Sequence, residues 1–178
     1  PLGNYLSYGG PNLGLFAIKD SLKRKLPGRV VGMTTDSNNK KGFVLTLQTR
    51  EQHIRRSKAT SNICTNQGLV ALRSVIYMSL LGKEGLPNLS KICFDKAHYA
   101  AENIESIDGF NLYKSKNNFI KEFTVETKFS AINIKKDAEK SGYLIDSMGD
   151  NLIKLSFTEK RTKEEIDKLL NFLKNYEK

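Results

Sequence analysis

Cysteine and histidine are scarce in this 178-residue chain, two of each. Cys64 and Cys93 stand far apart with no CxxC between them, so neither a zinc site nor a disulfide framework is supported, and buried apolar thiols are expected instead. Long hydrophobic runs are missing too: nothing approaches the ~18 to 20 apolar residues that span a bilayer. The opening PLGNYLSYGG has neither the charged start nor the apolar stretch of a signal peptide, so a cytoplasmic chain without a membrane partner is expected. It begins at Pro1 rather than Met, and is therefore expected to be a fragment or a processed chain. Internal repeats, low-complexity tracts, GxGxxG and the P-loop are all absent, which removes the usual nucleotide fingerprints.

What is present suits a folded protein. Hydrophobic residues make up 39% and charged residues 27%, and a chain of this length buries roughly 70% of its unfolded surface. The net charge of +10 is uneven, because residues 1–60 hold 11 Lys/Arg against 3 Asp/Glu. That third should attract an anionic partner: nucleic acid, a phosphate-bearing cofactor or an acidic protein.

Along the chain, the glycine-rich arm YLSYGGPNLG allows tight turns and close approach by another group, and Gly9 and Gly10 are its candidates for contact. Leu13 to Ile18 reads as a buried strand. RVVGMTT and GFVLTLQT, joined by DSNNKK, predict a β-hairpin. QGLVALRSVIYMSLL predicts a helix buried on most sides and stopped by Gly82. A second helix, roughly 85–107, carries Leu86, Leu89, Cys93, Ala97, Ala100 and Ile104 on one stripe and stops at Asp108-Gly109. Strands over 120–125 and 152–157 flank a helix near 130–140. A last helix opens on a capping box, Thr162 with Glu165, and presents Ile166, Leu169, Leu170 and Leu173 to a core. The expected class is α/β (α+β), with a first domain over 1–82 and a smaller α+β domain over 83–178.

The run TREQHIRRSKATSNICTNQ, Thr49 to Gln67, is the principal site candidate. It places Arg50, His53, Arg55, Arg56 and Lys58 before a polar stretch that holds Thr60, Ser61 and Asn62. Helix caps and basic side chains together suit a phosphate or carboxylate. An ordinary capped helix with a solvated basic lead-in accounts for the same residues. His98 with Asp95 and Glu102, and Glu51 beside His53, are common surface groupings and offer no nucleophile with its base. No catalytic residue and no metal ligand are assigned. A nucleic-acid partner is not expected, because the aromatics are not interleaved with the cations and no DNA- or RNA-binding motif appears.

LSYGGPNLGLFA, the forty-residue stretch from LPGRVVGMTT to SNICTNQ, KAHYAAE and TEKRTKEEID together closely resemble the alpha chains of the two-subunit glycine dehydrogenase (decarboxylating), the P-proteins of the glycine cleavage system. The resemblance implies the end of the large domain of a fold-type-I transferase dependent on pyridoxal phosphate (PLP), followed by its small C-terminal domain. It also implies that a lysine of the P-protein beta subunit holds the cofactor, that glycine is the substrate, and that the lipoyl H-protein carrier takes the aminomethyl group. Lys19, Lys23 and Lys25 do not match the family's lysine motif, so no covalent cofactor is expected on this chain. Gly9 and Gly10 would then approach the partner's cofactor, with Arg50, His53 and Asn62 supporting the interface. A basic nucleic-acid-binding domain and a fragment of an independent PLP enzyme remain the alternatives.

Overall fold

The computed structural model describes residues 2–7, 9–60, 67–114 and 118–176. The chain divides into two compact units, Pro1–Leu80 and Leu81–Lys178.

In the first unit an arm without regular structure leads to a 3-10 helix, Asp20–Lys25. The predicted hairpin follows, β1 (Val30–Thr35) antiparallel to β2 (Lys41–Thr46), with Val31 opposite Leu45 and Met33 opposite Phe43. Its turn is organised by Asp36, whose Oδ1 accepts hydrogen bonds from the amides of Asn38 and Lys40 at 2.8 and 2.9 Å, while Asn39 takes the left-handed conformation at φ 60°. Two 3-10 turns, Gln48–Arg50 and Arg56–Lys58, enclose the short helix α1 (Gln52–Arg55). The long helix α2 (Gly68–Glu105) begins in this unit and is interrupted at Gly82 (φ 64°, ψ −168°), the position expected to end the first of two helices.

Two expectations for this unit fail. Leu13 to Ile18 forms no strand, and Leu15 and Phe16 are 79% and 73% exposed. A strand exists only where a neighbouring backbone completes its hydrogen bonds, and among the described residues the hairpin pairs only with itself. The first part of α2 is helical as predicted but not buried on most sides, since Leu69, Leu72, Val75, Ile76 and Leu80 are all exposed. Apolar periodicity reports which faces a helix offers, not what covers them.

The second unit holds a four-stranded antiparallel sheet in the order β3-β4-β6-β5. Its strands are β3 (Phe110–Leu112), β4 (Glu122–Thr127), β5 (Asp146–Ser147) and β6 (Leu152–Ser156), with helices α3 (Ala131–Lys140) and α4 (Lys163–Lys174). Alternation along β4 buries Phe123, Val125 and Thr127 and turns Glu122 and Glu126 outward. The buried side chains join Ile153 and Leu155 of β6 in one core with Ala97, Ala100 and Ile104 of α2, Ile134 of α3, and Ile166, Leu169, Leu170 and Leu173 of α4. Full burial of each Ile or Leu contributes about 1.5–3 kcal/mol, so this cluster dominates the unit's stability. The capping box forms: Thr162 Oγ1 accepts from the Glu165 amide at 3.2 Å, and Glu165 Oε2 accepts from the Thr162 amide at 2.9 Å. No helix among the described residues is long and apolar enough to cross a membrane.

Candidate site around the hairpin base and glycine-rich arm

Arg50 is the one buried cation of the first unit's described residues, and its position follows from local chain geometry. The chain leaves β2 through Leu47 in the left-handed conformation (φ 53°), which folds the Gln48–Arg50 turn back under the hairpin. There Arg50 Nε donates to the Leu47 carbonyl at 3.1 Å and Nη2 to the Gly28 carbonyl at 2.7 Å. One guanidinium thus ties the two feet of the hairpin together. Glu51 Oε1 lies 3.8 Å from Nη2, and the Arg50 and Glu51 side chains are 9% and 13% exposed. Nη1 is buried without a hydrogen-bond partner among the described residues. A buried N–H that lacks an acceptor is costly.

The other candidates sit differently. His53 and Arg55 are exposed on α1, and Arg56, also exposed, takes φ 56°. Thr60 is exposed, with its amide donating to the Arg50 carbonyl at 3.4 Å. Ser61 and Asn62 lie outside the described residues, as does Cys64. Arg50 therefore faces inward while His53, Arg55 and Arg56 face solvent, and the structure does not gather them into one pocket. In the arm, Gly10 N donates to the Ser7 carbonyl at 2.8 Å and Ser7 Oγ to the Pro11 carbonyl at 2.9 Å, closing a turn. Gly9 (φ 93°) projects from this turn with nothing within 4 Å of where a Cβ would stand.

A lysine that holds PLP covalently needs an amine withdrawn from water so that its neutral form is accessible. Lys19, Lys23, Lys25, Lys40, Lys41 and Lys58 are all exposed, and Lys23 is paired with Asp20 at 3.1 Å. These residues do not fit a covalent anchor. Gly9 has open space around it, whereas the Arg50 guanidinium is turned inward.

In the second unit, His98 is a packing element. Its ring is stacked between Phe94 and Phe119 at 3.8 and 4.2 Å, with Nε2 3.1 Å from the Phe119 carbonyl, which places the proton on that nitrogen. Asp95 is paired with Lys91 at 2.6 Å, and Glu102 is exposed. Burial pushes the Cys93 thiol up, as expected of a buried structural cysteine. No group of three or more potential metal ligands is gathered among the described residues.

Sequence reasoning passed over Ser74, Arg73, Asn4 and Gly3, which fasten the arm to α2. The signal was there: a serine within an otherwise apolar helix, SVIYMSLL, preceded by arginine.

A family model described as the glycine cleavage system P-protein matches residues 1–173. The probable glycine dehydrogenase (decarboxylating) subunit 1 of Chloroherpeton thalassium is 51% identical over 177 residues, covering 97% of this chain and 40% of that protein. The protein of the same name from Chlorobium limicola is 48% identical over 177 residues, with the same coverage. This chain therefore spans about 40% of the length of the curated relatives it matches. A crystal structure of glycine decarboxylase (P-protein) of the glycine cleavage system, in inhibitor-bound form, superposes with a TM-score of 0.85 at 34% identity, over 97% of this chain and 40% of that one. The solved structure of C-DES with glycine covalently linked to its PLP cofactor shares the fold alone, at a TM-score of 0.54 and 9% identity over 82% of this chain and 36% of that one. The mixed helix-and-sheet fold is thus one shared with PLP-dependent enzymes, and the chain belongs to the glycine cleavage system P-protein family.

Proposed function

We propose that this chain is part of the alpha subunit of a two-subunit, cytoplasmic glycine-decarboxylating P-protein, and that it completes or supports a PLP site carried by the beta subunit. Residues 1–82 would close the large domain and 83–178 would form the small C-terminal domain. The observation that carries the reading is the 48% and 51% identity, over nearly the whole chain, to relatives named subunit 1 of glycine dehydrogenase (decarboxylating). Bound PLP supplies an electron sink for loss of carbon dioxide from glycine.

This chain's own residues would bind and orient. The Ser7–Gly10 turn, with open space at Gly9, admits the partner's cofactor region at close range. Arg50, turned inward, holds the hairpin base in shape and so supports the interface indirectly. His53, Arg55 and Arg56 supply exposed positive charge, Thr60, Ser61 and Asn62 follow them in the chain, and the lipoyl H-protein would receive the aminomethyl group. Val31, Met33, Phe43 and Leu45, exposed together on one face of the hairpin, form the apolar centre that a lasting subunit contact requires. Family membership favours this reading over a nucleic-acid-binding domain, and relatives named as subunit 1 favour it over a fragment of an independent PLP enzyme.

The test is co-purification of the full-length alpha subunit with beta, followed by glycine-dependent carbon dioxide exchange. Exchange is expected from the pair and not from the alpha subunit alone. A stoichiometric visible band from covalent cofactor in the isolated alpha subunit would sink the reading, as would tight, steeply salt-dependent nucleic-acid binding in place of association with beta.

A further inference from the structure

The start of α2 grips the root of the glycine-rich arm across some 70 positions of sequence. Ser74 is 1% exposed, and its hydroxyl accepts a hydrogen bond from Asn4 Nδ2 at 2.7 Å. Arg73 Nε donates to the Gly3 carbonyl at 2.8 Å, and the same guanidinium lies 3.8 Å over the Tyr5 ring. Between these contacts the backbone at Gly3 takes φ +79° and presses on α2 so closely that a Cβ there would stand 2.5 Å from Cβ of Tyr77. Three consecutive arm residues, Gly3, Asn4 and Tyr5, are therefore held by residues 73, 74 and 77, neighbours on one side of the helix.

Each contact has a separate physical cause. A hydroxyl buried in an apolar helix demands a partner, which selects Asn4. An arginine stacked on an aromatic ring with its Nε free to donate fixes direction as well as distance. Gly3 is required twice, by its backbone angle and by the absence of a side chain.

Beyond Tyr5 nothing comparable holds the arm among the described residues: Leu6, Leu15 and Phe16 are exposed, and the hydrogen bonds of Ser7 and Gly10 close the turn on itself. Four residues of extended chain reach up to about 14 Å, so a loose root would carry the glycines through distances far beyond the ~1 Å that a catalytic arrangement tolerates. We infer that Ser74, Arg73 and Gly3 are positioning residues, a latch that fixes the root of the arm on α2 and thereby sets where the Ser7–Gly10 turn stands. Its catalytic consequence rests on the proposed function; the latch itself rests on the contacts above.

The experiment uses the full-length alpha subunit, alone and combined with beta, in the variants Ser74→Ala, Arg73→Ala and Gly3→Ala. Gly14→Ala is the control, since nothing lies within 4 Å of a Cβ at that position. In the alpha subunit alone, hydrogen exchange at the Gly10 amide is expected to rise about tenfold in the three variants and to stay unchanged in the control. In the complex, kcat for glycine-dependent carbon dioxide exchange is expected to fall about ten- to a hundredfold, with assembly and the KM for glycine little changed. Low concentrations of guanidinium ion should restore part of the Arg73→Ala activity, whereas a variant that had merely lost stability would be harmed by it. Unchanged exchange at Gly10, or an activity loss no greater than the loss of assembly, overturns the latch. Faster Gly10 exchange alongside a wild-type complex that itself lacks carbon dioxide exchange leaves the latch standing and defeats the proposed function.

Discussion

The two units of this chain solve the folding problem differently. Every member of the hydrophobic core, from Ala97 to Tyr176, belongs to the second unit, where helix and sheet faces meet without large polar intrusions. In the first unit the buried described residues are Gly28, Arg50 and Ser74, and none of them carries an apolar side chain. Its hairpin and helix instead turn Val31, Met33, Phe43, Leu72, Val75 and Ile76 toward solvent. An isolated two-stranded hairpin is marginal in water, so this half draws its order from specific polar ties such as Arg50 to Gly28 and Asn4 to Ser74. One unit carries its own hydrophobic core; the other exposes its apolar side chains.

The sharpest way to break that contrast is to attack the core. Ile134→Ala, at a fully buried position, is expected to destabilise the second unit by about 2–5 kcal/mol in urea titration, and a loss below ~1 kcal/mol would show that the core is not what holds it. A smaller effect is expected at the helix cap: Thr162→Ala removes the acceptor for the Glu165 amide and should cost about 1 kcal/mol in the same titration. Phe43→Ser tests the other side of the comparison. With the ring 74% exposed, the free chain should keep its stability within about 0.5 kcal/mol while association with the beta subunit weakens; a large stability loss would mean the hairpin face is covered within the chain itself.

The smallest effect concerns acid. Lys163 and Tyr99 hold the Asp167 carboxyl below its ordinary value of 3.8, and Lys135 does the same for Asp146. Because these folded-state values are depressed, their stabilisation is present above the ordinary aspartate value and is lost as pH falls through the lower folded ones. Asp146 is exposed and Asp167 half-exposed, so both are screened, and Lys163→Met should only slightly flatten the fall of second-unit stability measured below pH 3.8, and less so in high salt.

How much of this was legible depended on the range of the interactions. The hairpin, the capping box and the stripe of α4 could be read because each depends on residues within a few positions of one another. Of the stripe Leu86, Leu89, Cys93, Ala97, Ala100 and Ile104, the last four are buried as the spacing foretold, while Leu86 and Leu89 are half-buried. Leu13 to Ile18 misled because a short apolar run has strand composition whether or not a partner strand is present. Arg50 was legible as a cation in a basic segment, but its inward course depends on the left-handed turn at Leu47 and on a carbonyl 22 residues upstream.

The sequence by itself determined the family, through the segments it shares with its relatives, and the helices with their stops and apolar faces, which follow from local pattern and residue chemistry. Only the tertiary structure decided that the core lies wholly in the second unit, that Arg50 points inward, and that Ser74 meets Asn4 across 70 positions. The reason is physical: burial and long-range hydrogen bonds depend on where the chain closes on itself, and no local period encodes that closure.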